Sequence, residues 1–307
     1  MQLDQTHVKI RQRGPAEVAD LALLVFHRYG SSLLWVWALG ALPFMLVNGL
    51  ILGWIPWEAS YDDLMDDEIF QEQFRYVWLS SALVYLQAPW ACSMMTMWLG
   101  RAVFQQRPTP REVLSDFRET FWGSLLVLGA FRGPILAMLL VTSNWWQPLA
   151  IGREVVCMML IVFLIGLLRL ARPFVPEIIL LERCPLRKAP SEGLVAGKRS
   201  QFLHSPAAAE ISSRSMLCAA LAIGSTLVLT GAFVFVRTHL ANRVGWGLDV
   251  SLVLFPLALW LTAGVCTVLR FLNYLDTRIR LEGWEVELAL RAEADRWLVE
   301  NQAPTTR

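Results

Sequence analysis

The twenty residues from Val250 to Leu269 carry no charged side chain, and five other stretches of the chain are nearly as apolar. Such runs leave few options. At 1.5 Å rise per residue, about 20 helical residues cross the hydrocarbon core of a bilayer. Lipid offers no hydrogen bonds to the backbone, so only helices and closed barrels can span it. Continuous oily runs, rather than ten-residue alternations, select the helix. The expected spans are Ser31–Ile55, Tyr76–Val103, Trp122–Val141, Val155–Leu170, Met216–Val236 and Val250–Leu272. Composition agrees: 55% of residues are hydrophobic, 17% are charged, and mean hydropathy is +0.46. A soluble domain carries roughly a quarter charged residues. Fourteen Trp suit the headgroup level, where an apolar ring with one polar N–H is favoured. The expected fold is all-α: an integral membrane bundle of about six transmembrane helices forming one domain over 1–307.

Orientation follows from Lys and Arg between the spans. Lys9, Arg11, Arg13 and Arg28 precede the first. The connection Pro56–Gln73 has seven acids and neither Lys nor Arg, whereas the next has Arg101, Arg107, Arg111 and Arg118. Thr142–Glu154 has only Arg153, and Arg172–Ser215 has Arg172, Arg183, Arg187, Lys188, Lys198, Arg199 and Arg214. Arg237 and Arg243 follow the fifth span, and Arg270, Arg278 and Arg280 end the sixth. Rich and poor connections alternate, which is expected to place both termini in the cytoplasm. The opening residues lack the form of a signal peptide, because their apolar stretch comes late and carries Glu17 and Asp20.

A weak repeat is visible. Pro-x-Glu-Val opens at Pro15 and again at Pro110, and each copy reaches an SLL and a later Pro; Ser205–Gly224 is a fainter third copy. Proline at the first helical position followed by an acid is helix-start chemistry. Val18, Leu21, Val25 and Tyr29 form one stripe at helical spacing, so Pro15–Tyr29 is expected to lie flat at the headgroup boundary as an interfacial amphipathic helix. The tail 273–307, with Trp284, Leu288 and Trp297, reads as a cytoplasmic amphipathic segment.

Arg132 lies near the middle of the third span, where a charge costs about 2.5–3.5 kcal/mol on insertion scales. It calls for a partner facing the bundle interior. Glu154, Asp249 and Asn48 are the candidates, and Gly133-Pro134 points to a kink beside it. Pro43, Pro89 and Pro256 also fall within spans, as in transporters with broken helices. Pro176–Ser200 mixes apolar residues with bases that could contact anionic headgroups, but plain positive-inside bias is the preferred reading. Asp62, Asp63, Asp66, Asp67 and Glu68 lack EF-hand spacing and read as a solvated face.

Other chemistry is unsupported. Cys92, Cys157, Cys184, Cys218 and Cys266 show no CxxC spacing, and His7, His27, His204 and His239 are scattered. HExxH, GxSxG, P-loop and GxGxxG patterns are missing, and the bases form short clusters rather than the stripe of a nucleic-acid binder. No metal, cofactor or catalytic residue is expected.

At the last membrane exit, Tyr274, Asp276, Arg278, Arg280, Glu282 and Gly283 form a YxDxRxRxEG string. Arg278 and Arg280 suit headgroup phosphates, with Asp276 and Glu282 able to pair with them, which makes the stretch a candidate interface or docking site. The string resembles a signature closing bacterial polytopic proteins similar to the membrane domain attached to some glycerophosphodiester phosphodiesterases. Pro15, Glu17 and Asp20, and Glu182 followed by Arg199-Ser200, look like the same group. The connection here is longer and proline-interrupted. The resemblance implies a membrane module without the phosphodiesterase barrel, so that activity is not carried over. The expected role is a non-catalytic scaffold or accessory subunit of a cell-envelope assembly, with the bilayer and membrane or cytoplasmic proteins as partners. The alternative is a transporter or lipid-handling protein built around Arg132; a membrane-embedded enzyme is a third option.

Overall fold

The computed structural model describes residues 14–61, 66–103, 108–143, 151–186, 195–242 and 246–283. These residues are all-helical, with no strand among them. Chain order gives α1 (Pro15–Leu52), α2 (Trp54–Tyr61), α3 (Asp66–Ala91), α4 (Ser93–Ala102), α5 (Pro110–Ser124), α6 (Pro134–Ser143), α7 (Ile151–Ala171), α8 (Val175–Leu180), α9 (Ala196–His204), α10 (Ala208–Ala241) and α11 (Phe255–Glu282). Wider π-helical turns lead from α5 towards α6 (Leu125–Phe131) and into α11 (Val250–Leu254).

Among the described residues, four helices are long and apolar enough to cross a membrane: α1, α7, α10, and α11 with its π-helical lead. The pair formed by α5 with its π-helical extension and α6, bent by 56°, is a fifth if counted as one span. Their surfaces are oily on the outside. Only 6% of the apolar window of α10 is buried, and Ile223, Leu227, Val228 and Phe235 project outward. A helix apolar on all sides with so little protein around it is consistent with a place in lipid.

The centre of the bundle is α3, packed against α1, α2, α6, α7 and α11. Leu79, Leu83, Leu86 and Gln87 on it are fully buried. Its surroundings explain why it falls short on apolarity, since a helix wrapped by other helices meets little lipid and tolerates polar residues. The helix ends sort by contact. Ile51 and Leu52 at the end of α1 and Ile55 in α2 pack with Tyr76 and Leu79 in the middle of α3, Val141 late in α6, Met158 in α7, and Phe255. Val18 and Ala22 at the start of α1 share a cluster with Val103 after α4, Val113 in α5, and Leu269 and Leu272 late in α11.

Two sequence expectations change here. Pro15–Tyr29 is not a separate surface helix. It is the first part of the 38-residue α1, and its apolar stripe turns towards the bundle, with Val18 2% exposed and Leu21, Val25 and Tyr29 half-buried against the core. An isolated glycine costs a helix only about 1 kcal/mol, so Gly30 does not break it. The starts of α5 and α10 likewise run on into apolar helix. The second expectation concerns the tail: α11 continues through Glu282 and ends at Gly283 in the left-handed region (φ 65°), so residues 273–282 extend the last long helix. Trp284, Leu288 and Trp297 lie outside the described residues.

Polar pairs knit the interior. Asn48 in α1 and Gln87 in α3 exchange two amide hydrogen bonds of 2.8 Å each, which satisfies both buried side chains. The Trp37 indole donates to the Trp260 carbonyl at 2.9 Å and lies against Gly264, where a Cβ would stand 3.0 Å from the ring. Pro89 has no N–H for the Tyr85 carbonyl one turn back. Arg169 of α7 takes that carbonyl, bonds the Leu86 carbonyl at 2.7 Å, and stacks 4.4 Å from the Tyr85 ring centroid.

Candidate functional site

The proline-interrupted connection after α7 turns back onto the bundle. Phe174, Ile178, Leu203, Ile211 and Tyr274 make a small core beneath α8, α9 and the end of α11. Glu177 of α8 is fully buried and accepts from Arg270 at 2.7 Å. The apolar residues of Pro176–Leu180 are therefore covered by protein rather than headgroups.

On this core sits an ion-pair network joining three separate parts of the chain. Glu182 is its hub. Arg199 of α9 donates to both its oxygens (2.5 and 2.9 Å), and the Tyr274 hydroxyl donates to Oε1 at 2.6 Å. Arg278 approaches the same carboxylate at 3.6 Å and forks onto Glu282 at 3.0 and 2.7 Å. Arg199 also bonds Glu282, which closes a ring. One turn away, Asp276, only 2% exposed, takes Arg214 of α10 at 2.8 Å and Arg280 at 3.1 Å. Both of those arginines also reach Glu210 at 2.8 Å. A neighbouring set ties Arg101 to Asp116 and Glu112, and Arg183 to Asp116 and Glu119.

Helical spacing explains the arrangement. Tyr274, Arg278 and Glu282 recur every four residues and share one face; Asp276 and Arg280 share another. The first face meets the connection with Glu182 and Arg199, and the second meets the start of α10. The planar forks of arginine suit two-oxygen contacts with carboxylates.

Burial pushes the Glu182 and Glu282 carboxyls up, but arginine hydrogen bonds, with Tyr274 adding one at Glu182, outweigh it and hold both below the ordinary glutamate range. Arg101 above all holds Asp116 below the usual aspartate range. Groups with depressed folded-state values stabilise the fold above their unfolded values and lose that effect as pH falls through the folded ones. These carboxylates leave thermal stability in detergent flat down to about pH 5 and withdraw it below about 4, while His204, held below the ordinary histidine range by burial, adds a smaller loss that begins as pH falls below about 6.5. A midpoint that rises as pH falls from 7 to 4 would contradict this.

The sequence-derived polar site does not assemble. Arg132 is 7% exposed, and its guanidinium donates to the Arg172 carbonyl at 2.6 Å, just past the end of α7. An arginine on the orphan carbonyls of a helix terminus is favourable for both hydrogen bonding and the helix dipole. The three proposed partners are engaged elsewhere. Glu154 pairs with Arg75 of α3 at 2.7 and 2.8 Å. Asp249 pairs with Arg237 at 2.5 Å. Asn48 is held by Gln87. The expected kink is present: Arg132 leaves helical geometry (φ −98°, ψ 17°) and Gly133 is left-handed at φ 89°. Arg278 pairs with Glu282 at 2.7 Å and Arg280 with Asp276 at 3.1 Å, the pairings their spacing allows. Sequence reading missed Arg75, which lies in the polar first part of α3, Gln87, a lone amide inside the apolar part of the same helix, and Arg169 near the end of α7.

No group of three or more His, Cys, Asp or Glu among the described residues could hold a metal ion. Comparison with known proteins gives no match to a family model, a curated protein or a solved structure.

Proposed function

We propose that this chain is a six-span protein of the bacterial inner membrane, with both termini cytoplasmic, serving as a non-catalytic scaffold or accessory subunit of a cell-envelope assembly. The sixth crossing is α3 continued by α4, the helix pair shielded from lipid by its neighbours. The cytoplasmic end is the one bearing Arg101, Arg183, Arg199, Arg214, Arg278 and Arg280. The opposite end carries the acidic connection.

The observation that carries the reading is the network around Glu182 and Asp276. Its carboxylates are committed to arginines, which gives a stiff charged plate instead of a free acid–base pair. It also brings together Tyr274, Asp276, Arg278, Arg280 and Glu282 with Glu182 and Arg199. Those are among the positions on which the likeness to the phosphodiesterase-associated membrane module rests, the others being Pro15, Glu17, Asp20, Ser200 and Gly283, and their meeting supports that likeness. A rigid plate at the membrane surface suits docking of a protein partner.

Topology is tested with single cysteines at positions 66 and 290 in a cysteine-free background, labelled on intact cells. Position 66 is expected to react with an impermeant reagent, and position 290 only after permeabilisation; the reverse pattern overturns the assignment. The scaffold role is tested by cross-linking in native membranes followed by purification. A discrete partner should be recovered, and recovery should fall when Glu182→Ala loosens the plate. A protein recovered only as an unlinked monomer sinks the role.

A transport or lipid-handling reading draws support from the 56° break at Arg132-Gly133. Arg132→Leu separates the two. Losing one hydrogen bond to a carbonyl costs about 1–3 kcal/mol, and removing a charge from an apolar setting offsets part of that. The variant is therefore expected to fold with a melting temperature within a few degrees of the parent and to keep its partners. Loss of a transport or lipid phenotype with folding intact would favour the second reading.

A further inference from the structure

A groove of about 530 Å³ opens where the first turns of α1 cross the ends of α4 and α11. Leu24, Val25, Leu99, Phe271 and Leu275 line it, with Trp98 at the side in edge-on contact with Tyr29, their centroids 5.5 Å apart. Its size falls within the range of pockets for small organic ligands. At the rim stands Arg28, exposed, with its guanidinium 5.6 Å from the Tyr29 ring centroid and no carboxylate bound to it among the described residues. This sets it apart from the arginines of the neighbouring network, each of which is matched to an acid. Leu23 and Leu24, 68% and 62% exposed, carry the apolar lining out onto the surface of the bundle.

We infer that the groove holds one acyl chain of an anionic phospholipid whose phosphate sits on Arg28. The inference rests on the membrane reading above. Under that reading the groove lies at the cytoplasmic boundary, where Arg28 ends the cytoplasmic part of α1 and the uncharged span begins at Ser31. An apolar slot with one unmatched cation at its mouth is complementary to a lipid in two ways. The chain fills the slot, and the phosphate supplies the missing counter-charge, as basic pockets between helices do for acidic headgroups. Peptides are a poorer fit, because the slot offers almost no polar wall to satisfy a backbone.

The experiment places a photoreactive benzoylphenylalanine at Leu24 of the full chain in cells. Membranes are first pelleted without detergent, so that a protein left in the supernatant refutes the membrane reading separately. After illumination, intact masses are recorded. Adducts of phospholipid mass are expected, with anionic species enriched about fivefold over their share of the membrane, the contribution of one basic side chain at an acidic surface. Arg28→Gln should return the adducts to bulk composition at similar total yield, and Arg28→Lys should restore the enrichment. Adducts of bulk composition in the parent, no phospholipid adduct at all from the intact membrane protein, or cross-links to protein, including residues 284–307 of this chain, would overturn the inference. A melting temperature within a few degrees of the parent qualifies each variant for the comparison.

Discussion

Arg75→Leu is expected to destabilise the protein by about 3–5 kcal/mol, because it strands a carboxylate inside the bundle. Glu154 is 1% exposed, and its bonds to the Arg75 guanidinium, 2.7 and 2.8 Å, are its only ones among the described residues. The reciprocal change, Glu154→Leu, should cost less. Arg75 would keep Glu72 at 3.1 Å, a carboxylate on its own helix, and the Trp54 ring at 5.2 Å. Replacing both residues with leucine should recover most of the loss, since a buried ion pair exchanged for apolar side chains of similar volume is often neutral. Unfolding in micelles of fixed composition, compared through a double-mutant cycle, gives the coupling directly. Equal penalties for the two single variants and an additive double variant would refute the pairing.

Gly40→Ala should be comparably damaging for a steric reason. A Cβ at residue 40 would lie 2.0 Å from the Ala91 carbonyl oxygen, at the point where α1 crosses the end of α3. The obstacle is backbone, so no rotamer change relieves it, and the helices must separate. Close approach through small residues is a main source of helix affinity in membranes, where lipid tails compete equally for apolar contact. The expected loss is at least the upper part of the about 1–3 kcal/mol typical of overpacking. Gly49→Ala, on the same helix, is the control. Nothing lies within 4 Å of its added methyl, and alanine favours helix over glycine by about 1 kcal/mol. The first variant should melt well below the parent and the second at or above it; matching behaviour would show that the crossing is not set by residue 40.

The contrast between these two glycines shows how far the sequence could be read. Both sit in the same oily run, and nothing local distinguishes them. The Gly133-Pro134 break was legible because a proline forbids a specific hydrogen bond and glycine accepts the left-handed backbone that follows. The partner of Arg132 was not legible. It is a backbone carbonyl, and every residue has one. The α3 helix was legible as a span only from Tyr76 onward, yet its polar start supplies Arg75, which the sequence offered no reason to match with Glu154. The string from Tyr274 to Gly283 stood out by its spacing, and four-residue spacing does place Tyr274, Arg278 and Glu282 on one face. That this face looks into the chain, towards Glu182 and Arg199, was invisible.

The sequence alone determined that this chain builds long apolar helices, where most of them run, and which ends collect arginine, because hydropathy and backbone hydrogen bonding act along the chain and need no knowledge of neighbours. The tertiary structure decided which charges meet, which stripe is covered by protein rather than headgroups, and where two helices touch through glycine. Those outcomes depend on distances of a few ångströms between segments tens to hundreds of residues apart, and side-chain periodicity carries no record of them.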